Sequence, residues 1–547
     1  LLDCFTAPCK GGCPIGQDIP EYIELCRKGE YASALRLIAE KNPLPFITGT
    51  ICAHNCQTKC TRNYYEDSVQ IRATKLVAAQ RGYDEYMSKL DAPVPADGGR
   101  KVAVVGGGPA GMAAAYFVGR AGIPVTIFEK AGKLGGVVRQ VIPGFRISDE
   151  AIDKDAALVA RMGAEIRLNT PAPSVAELKA QGYTHIFFAV GAWKAGRLDI
   201  PGNVVPVIGW LKDMKAGKNV PLGNVAVVGG GNTAMDAARA ALRAGARSST
   251  LVYRRTKKYM PADAEELELA IADGVNFLEL VAPVEQKDGK LRCEKMKLGE
   301  PDEKGRRKPE PTGEFVEIDC DTVVSAVGEK VESELFTANG IEVDAKGLPD
   351  FKTNVEGVYA GGDAMRGPAT VVEGIADAQA FANAVIGEAH KFVIPAKAVA
   401  SRADAIAKKG VLCASAKCEG DRCLTCNVVC QVCADVCPNR ANVVIELPDG
   451  RHEILHVDRM CNECGNCAIF CPYDSAPYRD KFTLFKTREG FDESVNNQGF
   501  LPLGGGKVLV RLDGKVFEAD LNAKNDLPAG IEVFILTVLN KYAYLLG

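Results

Sequence analysis

The chain has 547 residues and is too long to fold around a single hydrophobic core, so we expect three or four domains. The composition is globular, with 47% hydrophobic residues, and a net charge of -3 without a basic stripe argues against nucleic acid as a partner. We find neither an apolar run of membrane-spanning length nor a secretory pattern, which predicts a cytoplasmic protein. The chain starts at Leu1 without an initiator Met, so we expect a piece of a longer polypeptide.

Cysteine is the unusual residue, because 17 of the 20 cysteines fall into two groups near the two ends of the chain. Disulfides are one interpretation, but they suit small secreted domains. Zinc ribbons are another, and the spacings described below favour iron-sulfur clusters over zinc. We expect Cys26, Cys293 and Cys320, which stand alone, to be ordinary buried thiols.

The N-terminal segment, residues 1 to about 95, has amphipathic helical periodicity over 19–39 between two sets of cysteines. The predicted iron ligands there are Cys4, Cys9, Cys13, Cys52, Cys56 and Cys60. Since two 4Fe-4S clusters need about eight ligands, the six thiolates hold either one cluster or two with help from another residue type. His54 is a candidate for that help, and its alternative role is a local hydrogen bond.

A dinucleotide motif follows the linker at 93–99. The apolar strand that begins at Lys101 leads into a glycine turn and a helix over 112–120, and the next strand, 125–128, ends in Glu129. Such a turn lets the backbone approach a pyrophosphate at the helix N-terminus, and a strand-end acid accepts hydrogen bonds from ribose hydroxyls. The predicted binding residues are Gly106, Gly108, Pro109, Ala110, Gly111, Glu129, Lys130, Gly136 and Arg139.

A second motif of the same type begins at Asn224, inside the span of the first domain. It comprises Gly229, Gly231, Asn232, Thr233 and Ala234, followed by a helix and a strand over 250–253. Arg254, Arg255, Lys257 and Lys258 replace the strand-end acid, which favours the 2′-phosphate of NADP over the free hydroxyl of NAD. The alternative is a solvated basic loop. Two such sites predict a flavin in one and a nicotinamide in the other.

The stretch Gly357–Asp363 returns to the first domain. There we predict that Gly362 and Asp363 meet the ribityl or phosphate region of the flavin, and that a helix from about Thr370 directs its positive end at the ring. A plain surface turn is the alternative interpretation of this stretch.

The second cysteine group, at 413–471, has ferredoxin spacing, in which three cysteines bind one 4Fe-4S cluster and the fourth binds its neighbour. One predicted set is Cys461, Cys464, Cys467 and Cys437. The other is Cys426, Cys430, Cys433 and Cys471, with Cys423 competing with Cys426. Cys413 and Cys418 stay unassigned.

The predicted fold class is α/β, with two nested Rossmann-like dinucleotide-binding domains between an N-terminal helical iron-sulfur domain and a C-terminal ferredoxin-like module of two 4Fe-4S clusters. The predicted divisions are 1–95 for the iron-sulfur domain, 96–215 and 331–395 for the FAD domain, 216–330 for the NAD(P)H domain, 396–480 for the ferredoxin-like domain, which starts with a connector at 395–409, and 481–547 for a small β-rich tail.

This order of motifs resembles the small (β) subunit of NADPH-dependent glutamate synthase over about residues 1–390. It is also similar to the matching domains of dihydropyrimidine dehydrogenase and of the bifurcating ferredoxin-NADP transhydrogenase large subunit. The stretches Asp3–Cys9 and Cys13–Gln17 and the appended ferredoxin module resemble the C-terminal half of proteins named as selenate reductase iron-sulfur subunits. The resemblance implies FAD at the first motif, NADPH at the second and two clusters near the flavin. Relatives carry a further cysteine where Leu1 stands and a Glu or Gln ligand near Lys75, so the resemblance leaves the second N-terminal cluster open.

From these motifs we predict an NAD(P)H-dependent flavin and iron-sulfur oxidoreductase that relays single electrons to or from a partner subunit, for which the family suggests a molybdenum-type dehydrogenase or reductase. The rival hypotheses are an electron donor of the glutamate synthase type, a flavin-based electron-bifurcating subunit, and a non-enzymatic electron-wiring subunit. No catalytic triad or paired carboxylates are evident in the sequence, and we assign no catalytic residue.

Overall fold

The computed structural model describes residues 6–96, 98–302, 305, 307–387, 400–494 and 496–547. The N-terminal part is helical, and Cys4, a predicted ligand, lies outside the described residues. Its helices are α1 (Pro8–Gly11), α2 (Ile19–Arg27), α3 (Tyr31–Ala39), α4 (Pro45–Ile51), α5 (Asn55–Thr58) and α6 (Ile71–Lys89), with a 3-10 helix at Thr61–Tyr64.

The amphipathic stretch 19–39 forms two helices rather than one, because the chain turns at Gly29, whose φ is 80°. The helical part is attached to the next domain by a buried carboxylate. Asp155 accepts hydrogen bonds from the backbone N–H groups of Phe46 (3.1 Å) and Ile47 (2.8 Å), which are free of intrahelical partners in the first turn of α4.

The first nucleotide domain is built on a five-stranded parallel sheet. Its early elements are β1 (Val102–Val105), α7 (Pro109–Arg120), β2 (Val125–Phe128), α8 (Gly136–Gln140), α9 (Asp149–Arg161), β3 (Glu165–Arg167), α10 (Val175–Ala180) and β4 (His185–Phe188). All four residues of β1 are buried, as expected of a central strand covered on both faces. Helix α7 begins three residues earlier than predicted because Pro109 suits the first helical turn.

The second nucleotide domain repeats this architecture and carries an antiparallel extension. The chain reaches it through β5 (Lys194–Ala195), β6 (Val204–Pro206) and α11 (Val207–Lys215), and the domain comprises β7 (Asn224–Val228), α12 (Asn232–Arg243), β8 (Ser248–Tyr253), a 3-10 helix at Lys257–Tyr259, α13 (Ala264–Ala272), β9 (Asn276–Glu279), β10 (Val281–Lys287), β11 (Lys290–Pro301), β12 (Arg307–Asp319) and β13 (Thr322–Ser325). The parallel sheet has the order β6-β13-β7-β8-β9, and β10, β11 and β12 form the antiparallel sheet.

The chain then returns to the first domain. The returning elements are β14 (Glu329–Lys330), which pairs with β5, α14 (Glu334–Thr337), β15 (Val358–Ala360), α15 (Asp363–Arg366) and α16 (Val371–Ile386). Strand β15 pairs in parallel with β4, which completes the order β15-β4-β1-β2-β3. The predicted nesting of one domain within another is therefore confirmed.

The C-terminal part joins the second cysteine group to one sheet. Its elements are α17 (Arg402–Ala407), α18 (Glu419–Arg422), α19 (Val432–Asp435), β16 (Asn442–Glu446), β17 (His452–Val457), a 3-10 helix at Asp458–Met460, α20 (Asn466–Ile469), α21 (Pro477–Asp480), β18 (Thr483–Leu484), α22 (Arg488–Glu493), β19 (Gly499–Gly504), β20 (Lys507–Leu512), β21 (Lys515–Asp520), α23 (Ala529–Lys541) and a 3-10 helix at Ala543–Leu545. Strands β16 to β21 form a six-stranded sheet that crosses the division predicted at residue 480.

None of the helices in the described ranges combines the length and the apolar character that crossing a bilayer requires.

Candidate functional site

The first nucleotide domain contains a cavity of about 350 Å³ at the carboxyl ends of β1 and β2, which we call the nucleotide cavity. Open parallel sheets bind ligands at this edge, and the volume lies in the range of small-molecule sites. Ten of the predicted residues line the cavity: Gly106, Gly108, Pro109, Ala110, Glu129, Lys130, Gly136, Gly362, Asp363 and Thr370.

Two positions beside this cavity require glycine, because a side chain there would clash with neighbouring backbone. A Cβ on Gly111 would stand 1.9 Å from the carbonyl oxygen of Gly106, so only glycine lets α7 pack against the strand end. Gly136 has a φ of 53°, and a Cβ there would lie 2.9 Å from the Cα of Gly108. The close packing of these backbones leaves the cradle that a pyrophosphate requires.

Glu129 is held rigidly at the end of β2. Its side chain is buried, and its two carboxylate oxygens accept hydrogen bonds of 2.7 Å from the backbone N–H groups of Gly107 and Ala131. A carboxylate has further lone pairs, so these two bonds leave it able to accept hydrogen bonds from ribose hydroxyls.

Asp363 and Thr370 form the opposite wall of the cavity. Burial raises the pKa of Asp363 to about 6, although the backbone N–H of Ala369 donates to its carboxylate at 3.1 Å. Thr370 caps α16 in a capping box with Glu373, which leaves the positive end of this 16-residue helix beside the cavity.

Two predicted binding residues lie outside the cavity lining. Gly111 acts through packing, as described above. The Arg139 guanidinium donates to the Asp153 carboxylate at 2.5 Å and also to the Leu134 carbonyl, so it braces the loop after β2. The structure therefore does not bring Arg139 to the predicted site.

The second motif forms the turn between β7 and α12. Gly229 and Gly231 occupy the turn, Asn232, Thr233 and Ala234 open α12, and the Asn232 side-chain oxygen accepts from the Asp263 N–H at 3.0 Å. Beyond β8, Arg254, Lys257 and Lys258 are exposed and Arg255 is half-buried. This open basic rim can attract an anionic group such as a ribose 2′-phosphate.

The two nucleotide domains meet at the nucleotide cavity. Val137 and Trp193 line the cavity and also pack against the apolar core of the second domain. Sequence reasoning missed Trp193, although it follows β4 at the carboxyl edge of the sheet, where binding residues gather. The core of the second domain therefore packs against part of the cavity wall.

Three cysteines of the N-terminal part share a pocket next to this wall. Cys13, Cys52 and Cys56 line the N-terminal cysteine pocket together with His54 and Lys75, and Val372 closes it. The preceding residue, Val371, lines the nucleotide cavity. Adjacent residues in the first turn of α16 therefore line the nucleotide cavity and the N-terminal cysteine pocket.

His54 and Lys75 are polar neighbours of these thiols. His54 has a left-handed φ of 43°, and its Nε2 atom lies 3.7 Å from Glu265. Its Nδ1 atom is buried and has no hydrogen-bond partner in the described structure. Lys75, buried beside Cys56, lowers the pKa of that thiol, but burial is the larger effect and the net shift is upward, to about 12.

The cysteines of one predicted C-terminal set line a common pocket. Cys437, Cys461, Cys464 and Cys467 line one pocket. Cys433 packs against Cys467, and the charge of Cys430 adds to burial in raising the pKa of Cys426. Cys430 and Cys471 both act on the pKa of Tyr64, which burial raises.

Thiolates in these numbers are the donor set of iron-sulfur clusters. Across the ranges that the structure describes, no three His, Cys, Asp or Glu side chains are grouped so as to hold a single metal ion. The thiol sets fit clusters in the chemistry of their donors, and the ligand assignments remain predictions.

Comparison with known proteins bears on both halves of this site. Residues 100–378, about half of the chain, match the family model described as pyridine nucleotide-disulphide oxidoreductase. Residues 1–85 match the model described as dihydropyrimidine dehydrogenase domain II, 4Fe-4S cluster.

Three curated relatives show how far the similarity extends. YgfK of Escherichia coli (strain K12), described as an oxidoreductase, is 41% identical over 100% of this chain and 56% of its own length. The NADPH-Fe(3+) oxidoreductase subunit beta of Geobacter sulfurreducens (strain DL-1 / KN400) is 37% identical over 70% of this chain and 64% of its own. The glutamate synthase [NADPH] small chain of Halomonas elongata is 31% identical over 68% of this chain and 86% of its own. The chain thus spans little more than half of the first of these relatives.

Proposed function

The chain belongs to the pyridine nucleotide-disulphide oxidoreductase family, and from that premise we propose that it exchanges hydride with NADPH and relays single electrons through cysteine-bound clusters to or from a partner subunit. It is an oxidoreductase whose cofactors are FAD, NADPH and 4Fe-4S clusters, in agreement with the sequence prediction. The relay, its direction and the partner belong to the proposal.

The observation that carries the proposal is that one helix turn contributes residues to both the nucleotide cavity and the N-terminal cysteine pocket. Val371 lines the nucleotide cavity and Val372 lines the N-terminal cysteine pocket, so neighbouring residues of one helix turn face the two sites. A flavin passes on one or two electrons, and a cluster accepts one at a time. The shared helix turn supports electron transfer between the two sites.

The cavity supplies binding and orientation for FAD. The backbone at Gly106–Gly111 and the N-terminus of α7 suit the pyrophosphate, Glu129 suits the adenosine ribose, and Asp363 with the first turn of α16 suits the ribityl and ring end. NADPH is proposed to bind at the turn before α12, with Arg254 and Arg255 on its 2′-phosphate.

The proposed electron route continues from the N-terminal cysteine pocket to the C-terminal thiols. Cys56 belongs to the N-terminal cysteine pocket and contributes, with Cys60 and Cys426, to raising the pKa of Cys9, while burial is the main cause. Cys426 is next to Cys430, and Cys433 packs with Cys467. We propose the two crossed C-terminal clusters of the sequence prediction as the far end of the relay.

The partner is proposed from the relatives. The Geobacter protein is named as a beta subunit and the Halomonas protein as a small chain, which supports a role within a larger enzyme. For the partner's chemistry, a molybdenum-type dehydrogenase or reductase is the hypothesis that the sequence resemblance supplies. Copurification from the native host, followed by metal analysis of the complex, tests it.

Anaerobic stopped-flow reduction tests the electron route. We expect NADPH to bleach the flavin absorbance first and the cluster absorbance afterwards. A Cys56→Ala variant should keep the first phase and lose part of the second, and Cys293→Ala, a buried thiol far from the pocket, should behave as wild type. Flavin that NADPH does not reduce would instead support the wiring-subunit hypothesis.

A further inference from the structure

The N-terminal part and the C-terminal module share an interface built from buried charges. Arg62 and Arg422 are among the most buried large side chains of the structure. The Arg62 Nε donates to the Arg422 carbonyl at 2.6 Å, and Glu66 pairs with both guanidinium groups, at 3.1 Å and 3.2 Å. These ion pairs and hydrogen bonds attach the C-terminal module to the N-terminal part through side chains that are buried from solvent.

A second buried pair fixes the segment that approaches Cys423. The Lys408 ammonium donates to Glu24 of α2 at 2.6 Å, and both side chains are at most 8% exposed. Further along, the Asn427 amide donates to Glu21 of α2 at 2.7 Å. The chain is therefore attached to α2 on both sides of Cys423.

This attachment places Cys423 among N-terminal thiols. Cys423 is buried in an apolar cluster formed with α2 and α3, and Cys9 and Cys60 pack against the same cluster. Next to it, Thr61 and Cys426 are joined by a hydrogen bond of 3.4 Å.

Counting the thiols separates Cys423 from its neighbour Cys426. In the sequence prediction, Cys430, Cys433 and Cys471 need one further thiol, for which Cys426 and Cys423 compete. Cys423 lies in the apolar cluster against which Cys9 and Cys60 pack, and Cys426 is not a member of that cluster. Cys13 and Cys56 line the N-terminal cysteine pocket, so Cys9 and Cys60 are the N-terminal ligands left for Cys423.

We propose that Cys423 is a ligand of the N-terminal iron-sulfur cluster held by Cys9 and Cys60, so that one cluster is bound jointly by the two ends of the chain. The inference rests on the cluster relay of the proposed function. It assigns three described thiolates, Cys9, Cys60 and Cys423, to this cluster. The cluster then links the N-terminal part to the C-terminal module covalently as well as through the buried ion pairs.

The test compares cysteine variants of the full chain, purified without oxygen. Cys423→Ala is measured beside Cys9→Ala for the N-terminal cluster, Cys430→Ala for a C-terminal cluster, and Cys26→Ala as the matched control, since Cys26 packs against the same apolar cluster. Iron, acid-labile sulfide and FAD are measured per chain, and the electron paramagnetic resonance spectrum is recorded after dithionite reduction.

We expect Cys423→Ala to lose about four iron and about four sulfide atoms per chain, the content of one 4Fe-4S cluster, and to keep its FAD. The resonance component that it loses should coincide with the one lost in Cys9→Ala and differ from the one lost in Cys430→Ala. Cys423→Ser, which keeps the side-chain volume and an oxygen donor, should retain part of the iron with a shifted spectrum.

Two results would overturn the inference alone: full iron in Cys423→Ala where Cys9→Ala loses a cluster, or a lost component that matches Cys430→Ala. If Cys9→Ala itself loses no iron, the N-terminal end of the proposed relay is absent, and the proposed function fails together with the inference. Loss of FAD or of iron in Cys26→Ala would mean that the apolar cluster, and not thiolate ligation, explains a loss in Cys423→Ala, which also contradicts the inference.

Discussion

The two nucleotide domains share one architecture, but the first encloses its proposed ligand site and the second leaves its proposed site open to solvent. The first encloses a cavity of about 350 Å³ and places a buried carboxylate, Glu129, and a half-buried one, Asp363, in its lining. The second ends β8 in a basic rim whose residues Arg254, Lys257 and Lys258 are exposed. An enclosed site favours slow exchange of its ligand, and an open one favours rapid exchange, so the same fold can serve a resident flavin and a diffusing nicotinamide.

We expect the largest effect from substitutions at the third small residue of each motif, which is Gly111 in the first and Ala234 in the second. Gly111→Ala would drive a Cβ to within 1.9 Å of the Gly106 carbonyl, whereas the second motif already has Ala234 at the equivalent position. Overpacking of this kind costs about 1–3 kcal/mol or more, and here it also displaces the pyrophosphate cradle. We expect Gly111→Ala to be purified with little FAD and to unfold at lower temperature.

Ala234→Gly is the matched reverse substitution. It removes a methyl group from the first turn of α12 and should cost no more than about 1 kcal/mol while leaving FAD content unchanged. Equal loss of FAD in both variants would show that the two motifs do not differ in packing as described.

The basic rim should decide between the two nicotinamide nucleotides. Replacing both Arg254 and Arg255 with Ala removes charge-assisted hydrogen bonds worth about 1.5–3 kcal/mol, so we expect the KM for NADPH to rise roughly 10- to 100-fold and the KM for NADH to change little. Steady-state reduction of an artificial acceptor measures both constants.

Arg247→Ala is the control for that variant, because Arg247 is an exposed arginine directly before the opposite end of β8 and pairs with Asp321. A similar rise in KM for NADPH in the control would point to net charge rather than to a phosphate site at the strand end.

The buried acid of the first cavity should make the stability of the FAD-free protein depend on pH. The folded-state pKa of Asp363 is about 6, above its ordinary value of 3.8, so the folded protein binds the proton more tightly than the unfolded chain. This group therefore stabilises most below about pH 4, and the contribution is lost as pH rises to about 6. Asp363→Asn should flatten that decline, by an amount on the order of 1–3 kcal/mol.

Thermal unfolding of FAD-free wild type and Asp363→Asn across this pH range measures the effect. Parallel pH profiles for the two proteins would mean that Asp363 titrates in the folded state as it does in the unfolded chain, and that the cavity does not bury its charge.

Salt should produce the smallest difference between the two domains. Screening shortens the Debye length from about 10 Å at 0.1 M to about 3 Å at 1 M, which weakens attraction at an exposed cationic rim more than contacts inside a cavity. We expect the KM for NADPH to rise severalfold over this range and FAD to stay bound, as gel filtration in high salt can check. Loss of FAD before any change in the KM would reverse the assignment of the enclosed and open sites.

Much of the site was predictable because its binding residues lie close together in the sequence. A glycine turn, a strand-end acid and cysteines two or three residues apart act through local backbone geometry, which a few residues determine by themselves. The predicted fold class is confirmed, and the predicted C-terminal set of Cys437, Cys461, Cys464 and Cys467 shares one pocket.

Other features depend on how separate parts pack, and no local spacing encodes them. Arg139 stands at a plausible distance after Glu129, yet Asp153 of the next helix binds its guanidinium and takes it away from the cavity. Sequence alone also left Cys423 competing with Cys426. Only the tertiary structure shows that Lys408 and Arg422 bind the N-terminal part and that Cys423 is buried in an apolar cluster there. The spacing of residues along the chain determined what each segment can bind. The tertiary structure decided which segments meet, because that depends on charged side chains from distant parts of the chain being buried against one another.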